Sequence, residues 1–169
     1  MIKSGSQSEM TLEDLLKNIL EHYGEGEENK ASRDLAFEKV AKYYFAHCVY
    51  INGEPIFQKV WGRSDYSWPA VLRRKRNIDL AAKDADGNLW TARVINSASS
   101  DDPGFQEAVR NFVLESRESD IKPDCQTLVL FNCSVSKKDE KKIRKNRIRT
   151  LTDKMMEEFD IDWSECQWI

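Results

Sequence analysis

Hydrophobic residues recur at helical spacing in the first third of the chain. The first set follows Thr11, whose hydroxyl can cap a helix. Its members are Leu12, Leu15, Leu16, Ile19, Leu20 and Tyr23. A second set, beyond a segment rich in glycine and glutamate, consists of Phe37, Val40, Ala41, Tyr44 and Cys48. The pattern therefore predicts two consecutive amphipathic helices.

The spacing then changes from helical to short apolar runs bounded by turn residues. Residues 56–61, 77–83 and 89–96 have the length and composition of strands. Between the last two, residues 84–88 read Asp-Ala-Asp-Gly-Asn, which is typical of a hairpin loop in which Gly87 is left-handed. The second and third strands are therefore predicted to be antiparallel neighbours.

The rest of the chain predicts helix, strand and helix. Asp102 can cap and Pro103 can open a third helix that ends near Ser119. Residues 127–131 form a continuous apolar run suited to an interior strand. A long charged helix over 137–158 follows. Its inward residues are Ile148, Leu151, Met155 and Phe159.

The predicted order is α, α, β, β, β, α, β, α. It indicates a mixed α/β (α+β) domain with helices on both faces of a central four-stranded sheet, the fourth strand parallel to its neighbour. We expect residues 1–10 to be a disordered tail and 11–169 to be one domain. Its parts are an N-terminal helix and linker (11–32), a core (33–159) and a C-terminal tail (160–169).

The amino-acid composition limits the class of protein to which the chain can belong. A chain of 169 residues that is 40% hydrophobic has material for one ordinary core. Its four cysteines stand far apart and only His22 and His47 could join them, which favours reduced thiols over a metal site. No apolar run is long enough for a membrane span and the start of the chain has no signal-peptide pattern. We expect a soluble, cytoplasmic protein.

The formal charge of -3 means that attraction to nucleic acid must come from local patches. Two basic segments stand out. Residues 137–149 hold eight Lys or Arg on the predicted long helix, and residues 73–76 lie just before the second strand. The candidate phosphate contacts are Arg73, Arg74, Lys75, Arg76, Lys141, Arg144, Lys145 and Arg149. For the long helix, a solvated surface is an equally good interpretation.

Three aromatic residues, Trp61, Tyr66 and Trp68, are predicted to lie near the first of these segments. Each could stack on an unpaired base or pack against the core. The chain has no glycine-rich phosphate loop followed by Lys-Ser or Lys-Thr. It therefore carries no helicase motor of its own.

The element order, Phe37-Glu38 in the second helix, residues 57–61 in the first strand and residues 77–80 before the hairpin together resemble the Mrr-like restriction endonuclease domain of the PD-(D/E)xK class. More narrowly, they resemble the version that precedes the motor in bacterial predicted helicases and some single-chain restriction enzymes. The resemblance runs from about Leu12 to the C-terminus. It implies a restriction endonuclease-like core, DNA as a partner and an associated helicase.

Members of that family hold a catalytic metal with an Asp on the first hairpin strand and a Glu or Gln on the second, and a Lys follows two residues later. Asp79 matches the Asp, but Arg93 replaces the second ligand and Ile95 replaces the lysine. Glu38 matches a helix-two glutamate that supports the metal in some relatives. The hairpin register places Asp79 opposite Arg93, so we expect an ion pair where the metal would lie.

The leading hypothesis is a catalytically degenerate restriction endonuclease-like domain, without a cofactor, that binds DNA or positions a helicase. A rival is an active Mg²⁺-dependent DNA endonuclease that uses Glu38, Asp79 and either Gln106 or Glu107. A third hypothesis is a protein-interaction or immunity-type module that presents the acidic segments 24–29 and 153–165 to a basic partner.

Overall fold

Two helices precede the sheet in the computed structural model, which describes residues 10–117 and 123–169. Helix α1 (Leu12–Tyr23) is capped by Thr11, as predicted, and the Thr11 Oγ1 accepts the Asp14 N–H. A 3₁₀ turn (Glu27–Asn29) leads into α2 (Lys30–His47). The inward positions of both helices are buried, because their apolar residues recur every three or four positions.

The sheet has five strands in the order of the chain: β1 (Phe57–Gly62), β2 (Leu80–Asp84), β3 (Leu89–Asn96), β4 (Cys125–Phe131) and β5 (Ile148–Thr152). The first three strands are antiparallel neighbours. Strands β3, β4 and β5 run parallel to one another, as predicted for the fourth strand. Helix α3 (Pro103–Arg117) connects β3 to β4, and α4 (Lys137–Lys145) connects β4 to β5.

The hairpin between β2 and β3 has the predicted register. The Asp84 N–H donates to the Asn88 carbonyl oxygen at 3.2 Å, and Leu80 pairs with Ala92. Gly87 has a φ of 82°, which a residue with a side chain adopts only under strain. Asp-Gly at this position thus sets the pairing that brings the start of β2 to the second half of β3.

Helices cover both faces of the sheet, so the predicted fold class is confirmed at this level. On one face α1 and α2 pack on Ala82, Ala92 and Val129. On the other face α3 and α4 contribute Phe105, Phe112 and Ile143 to a core that includes Leu128 and Leu130. Strand β4 is buried on both sides, as its continuous apolar run requires.

The predicted long helix over 137–158 is wrong, and so is the count of four strands. Helix α4 ends at Lys145, and Arg147 takes a left-handed conformation with a φ of 59°. The chain then forms β5 and a short helix α5 (Asp153–Glu157). Ile148 is buried while Arg149 is exposed, so side chains alternate across a strand instead of following a helix face.

Segment 160–169, predicted as a C-terminal tail, packs on the first face. Trp163 is 2% exposed, and the Tyr43 hydroxyl donates to the Asp162 carbonyl oxygen at 2.6 Å. At the other end, Met10 is partly buried against the same core. Residues 1–9 of the predicted tail and the predicted end of the third helix near Ser119 lie outside the described residues. Within 10–117 and 123–169, no helix is long and apolar enough to cross a membrane.

Candidate functional site

Asp79 lies immediately before β2, where the main-chain pairing between β2 and β3 ends. Its N–H donates to the Ala92 carbonyl oxygen, and its Oδ2 accepts the Val94 N–H, both at 2.8 Å. The carboxylate thus takes the place of a main-chain acceptor. Asp79 is 2% exposed, so this charge has little access to water.

Arg93 pairs with Asp79 as the sequence predicts. One guanidinium nitrogen, Nη1, lies 3.2 Å from Asp79 Oδ1. The Arg93 side chain is 26% exposed and that of Asp79 is 3% exposed, so the ion pair is largely shielded from water. Arg93 Nε is buried and has no hydrogen-bond partner in the described part of the chain. The guanidinium therefore neutralises the carboxylate that the resemblance assigns to a metal ion.

Helix α2 brings Glu38 against Asp79, and the two side chains are hydrogen-bonded. Burial, then the nearby negative charge of Asp79, raises the pKa of Glu38 from 4.5 to about 8. Burial also raises the pKa of Asp79, against the opposing effects of Arg93 and the Val94 N–H. Burial and the mutual repulsion of the two carboxyls therefore favour a proton on the pair, and Arg93 favours the ionised form of Asp79.

Ile95 lies two residues after Arg93 on β3, where the resemblance implies a lysine. It is 6% exposed and belongs to the core formed with α3. An aliphatic side chain in this place supplies neither a charge nor a proton donor. The structure therefore places Ile95 inside the packed interior.

These residues do not fit a divalent metal ion. Mg²⁺ prefers several oxygen ligands, whereas Asp79 is engaged by Arg93 and Val94 and Glu38 holds a proton. Within 10–117 and 123–169, no group of three or more His, Cys, Asp or Glu residues could hold a metal. The carboxyl pair of Glu38 and Asp79 is therefore too small a ligand set for such an ion.

Gln106 and Glu107, the other ligands considered for an active nuclease, are placed elsewhere. Gln106 Nε2 donates to the Ser100 carbonyl oxygen at 2.6 Å and to Asp139 Oδ1 at 3.1 Å, which joins α3 to α4. Glu107 is exposed on α3. The contacts of Gln106 serve helix packing and do not bring it to the Asp79 carboxylate.

The basic segment 73–76 is fixed close to the site. The Arg63 guanidinium donates to the Arg76 carbonyl oxygen, and the Arg63 N–H donates to the Asp79 carbonyl oxygen at 3.1 Å. Glu115 of α3 accepts the N–H groups of Arg76 and Asn77, both at 2.7 Å. Arg73, Arg74 and Arg76 are exposed, whereas Lys75 is partly buried.

Of the three candidate stacking residues, only Tyr66 is free to meet a ligand. Trp61 and Trp68 are partly buried and pack against the second core. Tyr66 is fully exposed, on the loop between Arg63 and the basic segment. Packing is therefore the better account of the tryptophans, and stacking stays a prediction for Tyr66.

The predicted basic face over 137–149 is divided between the two sides of the sheet. Lys141, Arg144 and Lys145 are exposed on α4. Arg149 belongs to β5, and its guanidinium lies 5.1 Å from the centre of the Trp90 ring, on the face covered by α2. The four residues therefore do not share one helix face, because the helix ends before Arg149.

The histidines and cysteines form no site among the residues described. His47 is exposed, stacks on Tyr43, and has its Nδ1 2.8 Å from the Tyr43 carbonyl oxygen. His22 is exposed and meets Trp168 edge to face. All four cysteines are free thiols, and burial raises the pKa of Cys48 and Cys166 to about 11.

Sequence reasoning missed Arg63 and Glu115. Glu115 holds residues 38 and 39 positions away in the chain, and no local pattern records such a contact. Comparison with protein families, with curated proteins and with solved structures gave no match to this chain. Fold and site thus define a mixed α/β domain in which a buried aspartate, Asp79, is paired with Arg93 and contacted by the partly buried Glu38.

Proposed function

We propose that this chain is a catalytically degenerate restriction endonuclease-like domain that binds DNA or positions an associated helicase on it. The observation that carries the proposal is the Asp79–Arg93 ion pair at the end of the β2–β3 hairpin. A permanently charged guanidinium competes with a divalent cation for the same carboxylate. Because Ile95 is a buried aliphatic residue two positions after Arg93, the site lacks both electrostatic aids to phosphodiester hydrolysis.

Arginines that form no ion pair among the described residues lie near the Asp79–Arg93 pair and support DNA binding. Arg63, Arg73, Arg74 and Arg76 are exposed there. Nearby acidic groups are already engaged: Glu115 accepts two main-chain N–H groups, and Lys42 Nζ lies 2.7 Å from Asp65 Oδ2. We call Arg63, Arg73, Arg74 and Arg76 the basic rim. Its guanidinium groups are well suited to phosphate oxygens.

Helix α4 supplies a second set of candidate phosphate contacts. Lys141 and Lys145 lie four residues apart and Arg144 lies between them, so the three side chains project from neighbouring positions of the helix. Arg144 also pairs with Glu140 at 3.2 Å. An exposed pair of this kind contributes little free energy and leaves the arginine free to exchange partners.

Salt-dependent binding to a fluorescent DNA oligonucleotide tests the proposal. We expect the affinity to fall steeply with added salt. Replacement of Arg73, Arg74 and Arg76 by Gln should lower the slope of log affinity against log salt by roughly one for each phosphate that the variant no longer neutralises. The control carries Lys17→Gln and Lys154→Gln, which remove exposed charges from α1 and α5. Absent binding, or binding that ignores salt, would reject the proposal.

Plasmid incubated with Mg²⁺ or Mn²⁺ tests the loss of chemistry separately. We expect no cleavage, because Asp79 remains paired with Arg93. Cleavage that disappears in Asp79→Ala would instead establish an active nuclease. Recovery of a basic protein partner and no nucleic acid would favour an interaction module that uses the acidic segments.

A further inference from the structure

A cleft of about 220 Å³ lies on the face of the sheet covered by α2, at the end of the strands away from Asp79. It is open to solvent on one side. Most of its walls are apolar or aromatic and come from α2, α5 and four strands. The principal apolar residues are Phe45, Ile56, Phe57, Trp90, Leu151 and Met155.

Among the described residues, Arg149 is the one charged side chain that lines this cleft. Its guanidinium lies over the Trp90 ring at 5.1 Å, an arrangement that holds the planar group at the mouth. None of the ion pairs in the described residues includes Arg149. The Arg149 guanidinium is therefore available to pair with a negative group of a ligand.

We propose that this cleft binds a small aromatic monocarboxylate, with the ring against the apolar wall that includes Phe57, Trp90 and Leu151 and the carboxylate on Arg149. A dry apolar cavity of about 150 Å³ is enough to hold a benzene ring, so this cleft accommodates one ring and a short acidic arm. A nucleobase fits less well, because its polar edges would meet mostly apolar walls. The proposal does not rest on DNA binding.

The test is ¹⁹F nuclear magnetic resonance titration of the full chain with 4-fluorophenylacetate and, separately, with its neutral isostere 4-fluorophenylacetamide. We expect saturable binding of the acid, and binding of the amide that is about tenfold weaker. Arg149→Gln should make the two affinities equal. Arg147→Gln removes a neighbouring exposed charge that does not line the cleft, and should keep the preference for the acid.

No saturable acid binding, or an acid preference that survives Arg149→Gln, would overturn the proposal. A peptide with a C-terminal Phe that bound more tightly than the free acid would overturn it too, in favour of a protein chain end.

Discussion

Glu38 brings a second carboxyl group against Asp79, which is buried and paired with Arg93. Burial and the negative charge of Asp79 favour the protonated form of Glu38 and raise its pKa to about 8. Arg93 balances the remaining charge. The ionisation of each carboxyl therefore depends on the other carboxyl and on the charge of Arg93.

The pKa of Glu38 makes stability depend on pH. Because the folded chain binds this proton up to about pH 8 while an ordinary glutamate loses it near 4.5, the free energy of unfolding should fall as the pH rises between these values. Glu38→Gln keeps the hydrogen bond to Asp79 without a titrating group. Urea unfolding from pH 5 to pH 9 should therefore show the variant becoming more stable relative to the parent as pH rises.

Glu21→Gln on the exposed side of α1 is the control for this experiment and should follow the pH profile of the parent chain. If Glu38→Gln gives the same profile as Glu21→Gln, Glu38 does not hold a proton at neutral pH.

Tyr66 makes a second prediction about a single residue. We expect Tyr66→Ala to weaken binding of a single-stranded oligonucleotide about fivefold or more, because stacking on one base contributes about 1–3 kcal/mol. Duplex binding, which leaves no base free to stack, should change less. Anisotropy titrations with both substrates measure the difference.

The control is Tyr50→Ala. Tyr50 is also exposed, at 49%, but it precedes β1, whereas Tyr66 follows it, so the length of a strand separates the two residues. Equal losses in the two variants, or equal losses on both substrates, would contradict a stacking role for Tyr66.

At the scale of elements, the hairpin could be predicted because its signals are local. Asp-Gly with a left-handed Gly87 sets the loop, and the loop sets which residues face each other. The pairing of Asp79 with Arg93 followed from that register alone. The contact of Glu38 with Asp79 did not, since it depends on how α2 packs across the sheet.

Strand β5 could not be predicted because the end of α4 carries no glycine. Arg147 takes the left-handed conformation that usually marks a helix end with Gly or Asn, and its charge merges with the basic run around it. The alternation of Ile148, Arg149, Thr150 and Leu151 spans too few residues to stand out. Pairing with β4 then decides the outcome.

Glu115 connects helix α3 to the basic rim by accepting the main-chain N–H groups of Arg76 and Asn77. Glu115→Gln should lower the free energy of unfolding by about 1–2 kcal/mol, because two main-chain N–H groups lose a charged acceptor. It should also weaken DNA binding, although it removes a negative charge, because the segment 73–76 loses its anchor. Chemical unfolding and anisotropy measure the two effects.

Glu107→Gln removes a negative charge from the exposed side of the same helix and serves as the control. It should bind DNA as well as the parent chain or better. If Glu115→Gln also binds DNA as well as the parent chain or better, then the overall charge of the chain governs binding, and the fixed position of segment 73–76 does not.

At the scale of the whole molecule, the net charge of -3 conceals a separation of charge that matters more than the sum. The acidic turn before α2 and the acidic residues of 153–165 lie apart in the chain from the basic rim. The rim is held to the Asp79 site by Arg63 and Glu115. The fold therefore places the basic rim beside the site where the family resemblance implies DNA.

The fold and the Asp79–Arg93 ion pair together predict which substitutions would make Asp79 available to a metal ion. In Arg93→Gln/Ile95→Lys the competing guanidinium is gone, an amide oxygen faces Asp79, and an ammonium stands two residues further on, so we expect Mn²⁺ binding and weak plasmid nicking. Arg93→Gln alone should bind Mn²⁺ without nicking. Isothermal titration and gel assays measure both, with Asp79→Ala added to the double variant as the control.

Because Ile95 is buried, a lysine at this position lowers the stability of the fold, and circular dichroism must show that the double variant is folded. A folded double variant that binds no metal would mean that Arg93 is not what keeps metal from Asp79.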